Sequence, residues 1–262
     1  MIRTFDAAIL TYHSISAGPP PLCIPPALFA QQMQWLRKNA QVLSLGGLAE
    51  SLAGGSLPPK AVALTFDDGF QDFYDNASPV LERLGFPAMV FLPAGYCGKT
   101  SDWDAHARGR PVLSWNQVRE LAGRGLSFGS HGMSHTGLAG RTDAELAYEV
   151  IESRRLIEAE TGRETEFFCY PYGSYDARAL RAVSACYRGG ACSTDLRVLV
   201  AEDDRFALPR IDVHYMRRPA VFRSVFTERF QLYLFARRLM RNFRSRMHSP
   251  RNPSHDAFRR TG

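Results

Sequence analysis

The feature that most constrains the fold of this chain is a short apolar run that ends in two adjacent carboxylates. Residues 61–64 are small or branched and follow two prolines, which predicts a strand buried on both faces. The run stops in Asp67, Asp68 and Gly69. Neighbouring side chains on a regular strand point to opposite faces, so both aspartates can serve one site only where the strand breaks, and Gly69 supplies that break. Taken alone, the same residues also fit a surface turn.

A second polar cluster, residues 130–135, follows the apolar segment 126–128. Its histidines, His131 and His135, are four apart and can converge on one side of a helical turn to bind one metal ion. With one carboxylate added, the set has the composition of a catalytic zinc site or of a facial non-heme iron site. A histidine pair at this spacing is often incidental, but its combination with the two aspartates favours a metal site.

Strands and helices alternate along most of the chain, which is the pattern of parallel βαβ units. The polar stretches follow strand ends, where the catalytic face of an α/β barrel is built, so we favour a barrel over an open sheet. We predict strands at 7–12, 61–66, 87–92, 126–128, 166–170, 191–193 and 207–213. We predict helices at 27–38, 79–84, 115–121, 143–160 and 176–186. Ser78 is the predicted N-cap of the second helix, and capping boxes begin at Ser114 and Thr142.

Length and composition fit an ordinary globular α/β protein. The 262 residues, 45% of them hydrophobic and 22% charged, suffice for one large domain or two small ones. No apolar run reaches the roughly eighteen residues of a membrane span. The five cysteines are scattered without a C-x-x-C pair, which fits a reduced compartment and neither a disulfide framework nor a cysteine zinc site. The first residues do not resemble a secretory signal peptide, so we expect a cytoplasmic location, with peripheral contact at the inner face of the membrane as an option.

Positive charge is concentrated at the C-terminal end. From Arg217 onward, twelve arginines oppose Glu228 and Asp256, while the remaining residues contain 20 Lys and Arg against 24 Asp and Glu. Because the predicted catalytic body is not basic, we expect no nucleic-acid partner. We predict a catalytic domain over 1–216, a basic amphipathic helical extension over 217–248 and a disordered tail over 249–262.

The segment 217–246 interleaves arginines with aromatic residues, and two interpretations stay open. As an amphipathic basic helix, it lies on anionic lipid or on an acidic partner protein. Alternatively, its aromatic side packs on the barrel and its arginines are only solvated. The aromatic residues are Phe222, Phe226, Phe230, Tyr233, Phe235 and Phe243.

Three ordered stretches resemble a known family. Residues 65–69 (TFDDG), 130–135 (SHGMSH) and 170–173 (YPYG) are similar to motifs of the polysaccharide deacetylases, the NodB-homology proteins of carbohydrate esterase family 4. The resemblance covers at least residues 8–215. It implies an α/β fold, a distorted and incomplete (β/α) barrel of about seven parallel strands, to which the charge pattern adds a basic C-terminal helical appendage.

The resemblance also implies roles for the site residues. Asp68, His131 and His135 would be the ligands of one divalent metal, with zinc as the first choice and Co²⁺, Ni²⁺ or Fe²⁺ as alternatives. Asp67 would be the general base, and the backbone N–H of Tyr172 would help to hold the oxyanion. An ordinary Pro-Tyr-Gly turn is the other interpretation of the Tyr172 stretch.

The proton donor departs from the common family pattern, in which an acid histidine lies in a late Leu-x-x-His motif. The late histidines of this chain are His214, His248 and His255. Residues 10–15 (LTYHSI) instead resemble the amino-terminal motif of the poly-N-acetylglucosamine deacetylase subgroup, in which the acid comes from the start of the chain. We therefore predict His13 as the acid, because it follows the first strand at the barrel mouth, and we interpret His214 as a histidine packed under a loop.

A second departure is Cys169, which stands where many relatives have an arginine that tethers the base aspartate. We predict that Arg210 supplies the missing cation. We predict further that Asp212 orients His13 and stabilises its imidazolium form. The alternative is that Arg210 and Asp212 are ordinary salt-bridge residues.

These features predict a metal-dependent hydrolase that removes acetyl groups from the N-acetylated sugars of a polysaccharide or glycan precursor. One alternative is hydrolysis of a small non-sugar amide, as in the allantoinase-like relatives. Another is a non-catalytic glycan-binding or scaffold protein that has kept the motifs. The intact aspartates and histidines argue against this last alternative, because binding alone needs no base beside a metal.

Overall fold

A single sheet of parallel strands organises the fold. The computed structural model describes residues 7–192 and 196–248, except for the side chains of 191–192 and 241–248. Within these residues, the sheet contains nine strands. The strands are β1 (Ala7–Tyr12), β2 (Gln41–Leu43), β3 (Ala61–Phe66), β4 (Met89–Leu92), β5 (Ser127–Ser130), β6 (Phe167–Cys169), β7 (Gly189–Cys192), β8 (Leu208–Pro209) and β9 (Ile211–Asp212).

The sheet curls until its two ends meet. Its order is β8-β7-β6-β5-β4-β3-β1-β9, with β2 beside the first half of β3. Only Arg210 separates β8 from β9, so one short segment pairs with β7 through its start and with β1 through its end. Counted as one interrupted strand, β8 and β9 complete seven positions around a distorted barrel. The predicted fold class is confirmed.

Helices connect the strands, as expected for βαβ units. The α-helices are α1 (Pro26–Asn39), α2 (Leu45–Ala53), α3 (Ser78–Leu84), α4 (Trp115–Gly123), α5 (Asp143–Leu146), α6 (Ser153–Thr161), α7 (Ala177–Cys186), α8 (Pro219–Phe222) and α9 (Glu228–His248). The π-helical segments Phe73–Ala77 and Ala147–Glu152 precede α3 and α6. The 3₁₀ turns are Ala94–Tyr96, Pro171–Gly173 and Val213–Met216.

Strands β1 and β3 form the most buried part of the barrel wall. Every residue of both strands is buried, and the two run in register from Ala7 beside Ala61 to Tyr12 beside Phe66. Alternate side chains enter two apolar clusters, one shared with α1 and the other with α2. Strand β3 therefore lies between two apolar layers. The prediction that residues 61–64 form a strand buried on both faces is confirmed.

The helix starts are partly those predicted. The capping boxes at Ser114 and Thr142 are present. The predicted N-cap at Ser78 is wrong, because the chain is already helical from Phe73 and the Ser78 hydroxyl donates to a backbone carbonyl of the preceding turn. The Phe73 ring packs on that of Phe66 with centroids 4.7 Å apart, a tertiary contact at the first residue of this helical stretch that local sequence does not reveal.

The basic C-terminal appendage is helical and packs one side on the barrel. Phe222, Val225, Phe230 and Leu234 are buried in the main apolar cluster, and Trp35 of α1 meets Phe222 edge-on at 5.7 Å. The tail 249–262, for which we predict disorder, lies outside the described residues. Among the described helices, none combines the length and the apolar character that a bilayer crossing demands.

Candidate active site

Asp67 and Asp68 end β3, and the backbone turns between them. The N–H of Asp67 still donates to the Tyr12 carbonyl at 2.9 Å, so Asp67 continues the sheet. Asp68 has a φ of 68° and Gly69 a φ of 57°, so the left-handed break begins one residue earlier than predicted. This turn allows both carboxylates to face one cavity at the carboxyl end of the sheet.

His131 and His135 come together on a loop, and the predicted helical turn between them is wrong. The N–H of His131 donates to the Leu92 carbonyl at 2.8 Å, which continues the pairing of β4 with β5. Gly132 and His135 then have φ values of 80° and 56°, which a right-handed helix does not contain. The loop differs from a helix because a side chain from another element takes its backbone N–H groups.

That side chain is Glu149, which is not among the predicted site residues. Its carboxylate accepts the N–H groups of Met133 and Ser134, at 2.8 and 3.0 Å, and also the Ser134 hydroxyl. Glu149 is 4% exposed, and a Cβ on Gly132 would lie 2.6 Å from its carboxylate. Several hydrogen bonds allow a carboxylate to be buried while it shapes a loop. The sequence feature that could have indicated a role for Glu149 is its position beside Val150, on the apolar face of a predicted helix, where a charged side chain is unexpected.

The side chains of Asp68, His131 and His135 converge at one point. Oδ1 of Asp68 lies 3.0 Å from Nε2 of His135 and 3.5 Å from Nε2 of His131. Nδ1 of His131 donates to the Cys169 carbonyl at 2.8 Å, and Nδ1 of His135 lies 3.2 Å from the Tyr172 hydroxyl. A carbonyl only accepts hydrogen bonds, so a neutral His131 has Nε2 available as a ligand. All three ligand atoms lie within 4.8 Å of one another, and two imidazoles with one carboxylate fit a divalent cation such as zinc.

These three side chains are almost fully removed from solvent, at 3–5% exposure. Burial raises the pKa of Asp68, but hydrogen bonds from His131 and His135 outweigh burial and hold that pKa well below its usual range. Asp68 is therefore an anion at neutral pH, which is the form of a carboxylate that binds metal ions.

Asp67 is held from behind by Arg210. The guanidinium Nη1 and Nη2 donate to Oδ1 and Oδ2 of Asp67 at 2.8 and 2.6 Å, a bidentate pair, and Arg210 is fully buried between β8 and β9. Nη2 also lies 3.0 Å from Sγ of Cys169. Burial raises the pKa of Asp67, but Arg210 outweighs burial, so the pKa is lowered overall. Arg210 thus lies beside Cys169, at the position where the resemblance leads one to expect an arginine.

His13 follows β1 and lines the same cavity as Asp67. Its Nε2 is 4.0 Å from Oδ2 of Asp67, and its side chain is 19% exposed. The chain after His13 is fixed by Asp72, whose carboxylate accepts the Ser14 hydroxyl at 2.6 Å and the Ile15 N–H at 2.8 Å. This clamp was not predicted from the sequence, since it joins residues that lie 57 and 58 positions apart.

Asp212 lines the same cavity as His13, but the hydrogen bond of its carboxylate goes elsewhere. Oδ1 accepts the N–H of His214 at 2.8 Å, which caps the turn after β9. The His214 ring packs against the Tyr215 ring with centroids 5.3 Å apart. The proposed partnership between Asp212 and His13 therefore stays a prediction, as does the interpretation of His214 as a histidine packed under a loop.

Tyr172 and Trp103 enclose His135 from two sides. The Trp103 ring stacks on the imidazole at 4.6 Å, and the Tyr172 ring meets it edge-on at 4.9 Å. Tyr172 has a φ of 58° and is 56% exposed, so it stands at the rim in a backbone conformation that is uncommon outside functional sites. Partial burial, with nearby Asp104 and Asp68, raises the pKa of Tyr172 to about 12, so the phenol keeps its proton.

The cavity has a volume of about 220 Å³. Every predicted site residue lines it except Arg210, which lies behind Asp67. Its wall also includes Leu22, Asp104 and Tyr170. Asp104 and Trp103 come from the polar insertion between β4 and α4, which has no periodic pattern to place it. The cavity therefore brings together a candidate cation site, the tethered carboxylate of Asp67 and the imidazole of His13, and all three can act on one reacting group.

Comparison with known proteins agrees with this geometry. Residues 54–187 match the polysaccharide deacetylase family. The Bacillus subtilis (strain 168) protein named "Putative polysaccharide deacetylase YxkH" is 31% identical over 207 residues, which are 78% of this chain and 70% of that protein. The poly-beta-1,6-N-acetyl-D-glucosamine N-deacetylase of Escherichia coli (strain K12) is 31% identical over 186 residues, which are 57% of this chain but only 28% of that protein.

Two solved structures have the same architecture. IcaB from Ammonifex degensii superimposes with a TM-score of 0.72 at 25% identity, over 84% of this chain and 95% of that one. The Streptococcus pyogenes deacetylase PplD, in complex with acetate, superimposes with a TM-score of 0.69 at 26% identity. The superposition covers 80% of this chain and 92% of that one. On the match of 54–187 and the extent of the likeness to YxkH, the chain belongs to the polysaccharide deacetylase family.

Proposed function

We propose that this protein is a metal-dependent hydrolase that removes acetyl groups from the N-acetylated sugars of a polysaccharide or glycan precursor. The observation that carries the proposal is the pairing of Asp67 with buried Arg210 directly beside Asp68 and the two histidines. Such a pair keeps a carboxylate charged and fixed in orientation next to a candidate metal site. A protein that only binds glycans has no use for a tethered base.

Asp68, His131 and His135 would hold one divalent cation, and zinc suits this donor set. When bound, the cation supplies Lewis acidity, which polarises the acetyl carbonyl and lowers the pKa of a water molecule. The contacts of the two Nδ1 atoms support this role. His131 Nδ1 donates to the Cys169 carbonyl and His135 Nδ1 lies beside the Tyr172 hydroxyl, which orients both Nε2 atoms toward Asp68.

Asp67 would take the proton of the attacking water. Its Oδ2 lies 4.0 Å from Nε2 of His13, so the two groups face the same space. Both oxygens of Asp67 are engaged by Arg210, which fixes the carboxylate plane. General base catalysis of this kind contributes about 10²–10⁴-fold in rate.

His13 would donate a proton to the departing amine, which is a very poor leaving group as an anion. The backbone N–H of Tyr172 would help to hold the oxyanion at the rim. Asp212, which lines the same cavity and pairs with Thr11 on the neighbouring strand, would favour the charged form of His13. In this scheme the base and the acid flank one scissile amide, and each transfers one proton.

An N-acetylglucosamine glycan is the substrate class that we propose. Support comes from the names of the relatives, two of which are poly-beta-1,6-N-acetyl-D-glucosamine N-deacetylases of Escherichia coli and Staphylococcus epidermidis. The chain covers 28% and 65% of those proteins, so their full activities are not carried over.

A substrate panel tests the proposal. The zinc-loaded protein is incubated with N-acetylglucosamine oligosaccharides of different linkage and with small amides such as allantoin. We expect acetate and free amine in equal amounts from at least one oligosaccharide. Acetate from none of the glycans, together with hydrolysis of a small amide, would replace the proposal by its main alternative.

A further inference from the structure

Helix α9 presents an apolar surface to solvent that the deacetylase chemistry does not use. Leu232, Phe235, Leu239 and Met240 are 68%, 53%, 54% and 52% exposed. Their spacing of three and four residues places Leu232, Phe235 and Leu239 on one side of the helix, with Met240 next to them. In the described part of the chain, six large hydrophobic side chains are more than half exposed, and these are four of the six.

The other side of α9 is anchored to the barrel. Phe230 and Leu234 are each 1% exposed. The Tyr233 hydroxyl donates to the Tyr215 carbonyl at 2.7 Å, and the Arg237 guanidinium lies 5.4 Å from the ring centres of both tyrosines. While these contacts hold, the outward apolar side chains cannot turn into the core. The exposed face is therefore a fixed property of the folded protein.

Charge identifies the partner that fits this face. The segment 217–248 contains nine arginines and one acid, Glu228, whereas residues 1–216 contain 20 Lys and Arg against 24 Asp and Glu. An anionic bilayer offers both an apolar phase for the leucines and phenylalanine and phosphate groups for the arginines. An acidic protein offers the charge without requiring four exposed apolar side chains on one helix.

We propose that α9 is a membrane-surface anchor that lies in the plane of an anionic bilayer. Leu232, Phe235, Leu239 and Met240 enter the boundary of the acyl chains, and the exposed arginines Arg218, Arg223 and Arg229 contact lipid phosphates. The anchor also positions the cavity, because Tyr215, which holds α9, lies three residues after the cavity residue Asp212. The protein would thus work on glycans close to a membrane surface.

Sedimentation of the full chain with lipid vesicles tests the anchor. Wild type should bind phosphatidylglycerol vesicles, bind phosphatidylcholine vesicles much less, and release as salt is raised. The triple variant Leu232→Ser/Phe235→Ser/Leu239→Ser should lose about 100-fold in partition coefficient, since three half-exposed apolar side chains no longer enter the membrane. Tyr148→Ser is the matched control: Tyr148 is 51% exposed on another element, and its loss should leave binding unchanged.

Three results would overturn the proposal: no binding of wild type to phosphatidylglycerol, equal binding by wild type and triple variant, or a lipid-free dimer that the triple variant abolishes. In the last case, the face belongs to a second copy of the chain. If the triple variant fails to fold, Leu239→Trp decides. The fluorescence of the introduced tryptophan should shift to shorter wavelength when phosphatidylglycerol vesicles are added. Fluorescence that does not shift contradicts insertion.

Discussion

At the scale of single residues, Asp67 and Asp68 are adjacent in the chain but have different surroundings. Asp67 is engaged by one guanidinium, and Asp68 by two imidazoles. Both have pKa values below the ordinary range of a carboxyl, in each case because charged or hydrogen-bonding neighbours outweigh burial. The left-handed backbone at Asp68 is what turns the second carboxylate toward the histidines. The two side chains therefore cannot exchange roles.

The proton donor can be identified by comparing two histidines. His13→Ala should lower kcat by about 10²–10⁴-fold while the metal content stays unchanged, because general acid catalysis is lost without a ligand being removed. His214→Ala should be mild, since the His214 ring packs on Tyr215 outside the cavity lining. The measurement is kcat on an N-acetylated oligosaccharide with metal analysis of both variants. The opposite ranking would move the acid to the far end of the chain.

At the scale of elements, the loop between the two histidines depends on the helix that follows it. Glu149→Gln should weaken zinc affinity by about 10–100-fold, the size typical of residues that orient metal ligands. The reason is that a neutral amide accepts the N–H groups of Met133 and Ser134 more weakly than a carboxylate, and its NH₂ group cannot accept the Ser134 hydroxyl. Competition with a chromophoric chelator measures the affinity without any turnover.

Glu152→Gln is the control for this prediction. It makes the same substitution in the same π-helical segment, but Glu152 is exposed and its ion pair among the described residues is with Arg155. Zinc affinity should stay within about twofold of wild type, because an exposed ion pair contributes little. A similar loss of affinity in both variants would show a general effect on the helix and contradict the role of Glu149. Glu149→Asp should recover part of the affinity.

The clamp that Asp72 makes with Ser14 and Ile15 predicts a dependence of stability on pH. Burial raises the pKa of Asp72 even though Ser14 and Ile15 donate to its carboxylate. The folded state therefore binds this proton more tightly than the unfolded chain, whose aspartate pKa is about 3.9. The protonated Asp72 carboxyl therefore contributes its full stabilisation at pH values below the unfolded pKa. This stabilisation is lost as the pH rises through the higher pKa of the folded state.

Asp72→Asn isolates this effect, because it keeps an acceptor and cannot titrate. The free energy of unfolding of wild type minus that of Asp72→Asn should be greatest at low pH and should fall to a plateau as pH rises. Urea titrations of both proteins across the acid range measure the difference. A difference that is constant, or that grows with pH, would contradict a raised pKa.

The elements also show what a sequence can predict. The strand 61–66 and the capping boxes at Ser114 and Thr142 depend on residues close in the chain, and these predictions are confirmed. The histidine loop was predicted as a helical turn because the Glu149 contact, which prevents the helix, comes from sixteen and fifteen residues away. Strand β2 was missed because three residues carry no periodic signal.

At the scale of the whole molecule, the barrel is completed where β8 and β9 meet, and Arg210 lies at that junction. Arg210→Met should lower the free energy of unfolding by about 3–5 kcal/mol, because it leaves the Asp67 carboxylate buried and unpaired. The double variant Arg210→Met/Asp67→Asn should recover part of this loss, since no buried charge remains. Chemical unfolding of wild type, of both variants and of Asp67→Asn alone gives a double-mutant cycle, which measures the coupling between the two residues.

Additive losses in that cycle would mean that the pair at 2.6 and 2.8 Å does not couple Asp67, at the end of β3, to the junction of β8 and β9. The prediction of Arg210 as a partner of Asp67 came from a family resemblance and from the gap at Cys169. Local sequence could not have supplied it, because the two residues are 143 positions apart. The domain boundaries, the compartment and the roles of His13, Tyr172 and Asp212 stay predictions.

The most direct test of metal-dependent deacetylation is acetate release per bound zinc in three proteins: wild type, Asp67→Asn and Asp68→Asn. Each is stripped with a chelator, reloaded with zinc and given one N-acetylglucosamine oligosaccharide. Wild type should be inactive when stripped and active when reloaded. Asp67→Asn should bind zinc fully yet release acetate about 10²–10⁴-fold more slowly, and Asp68→Asn should bind zinc weakly. Full activity in stripped wild type, or equal zinc loss in both variants, would contradict the account.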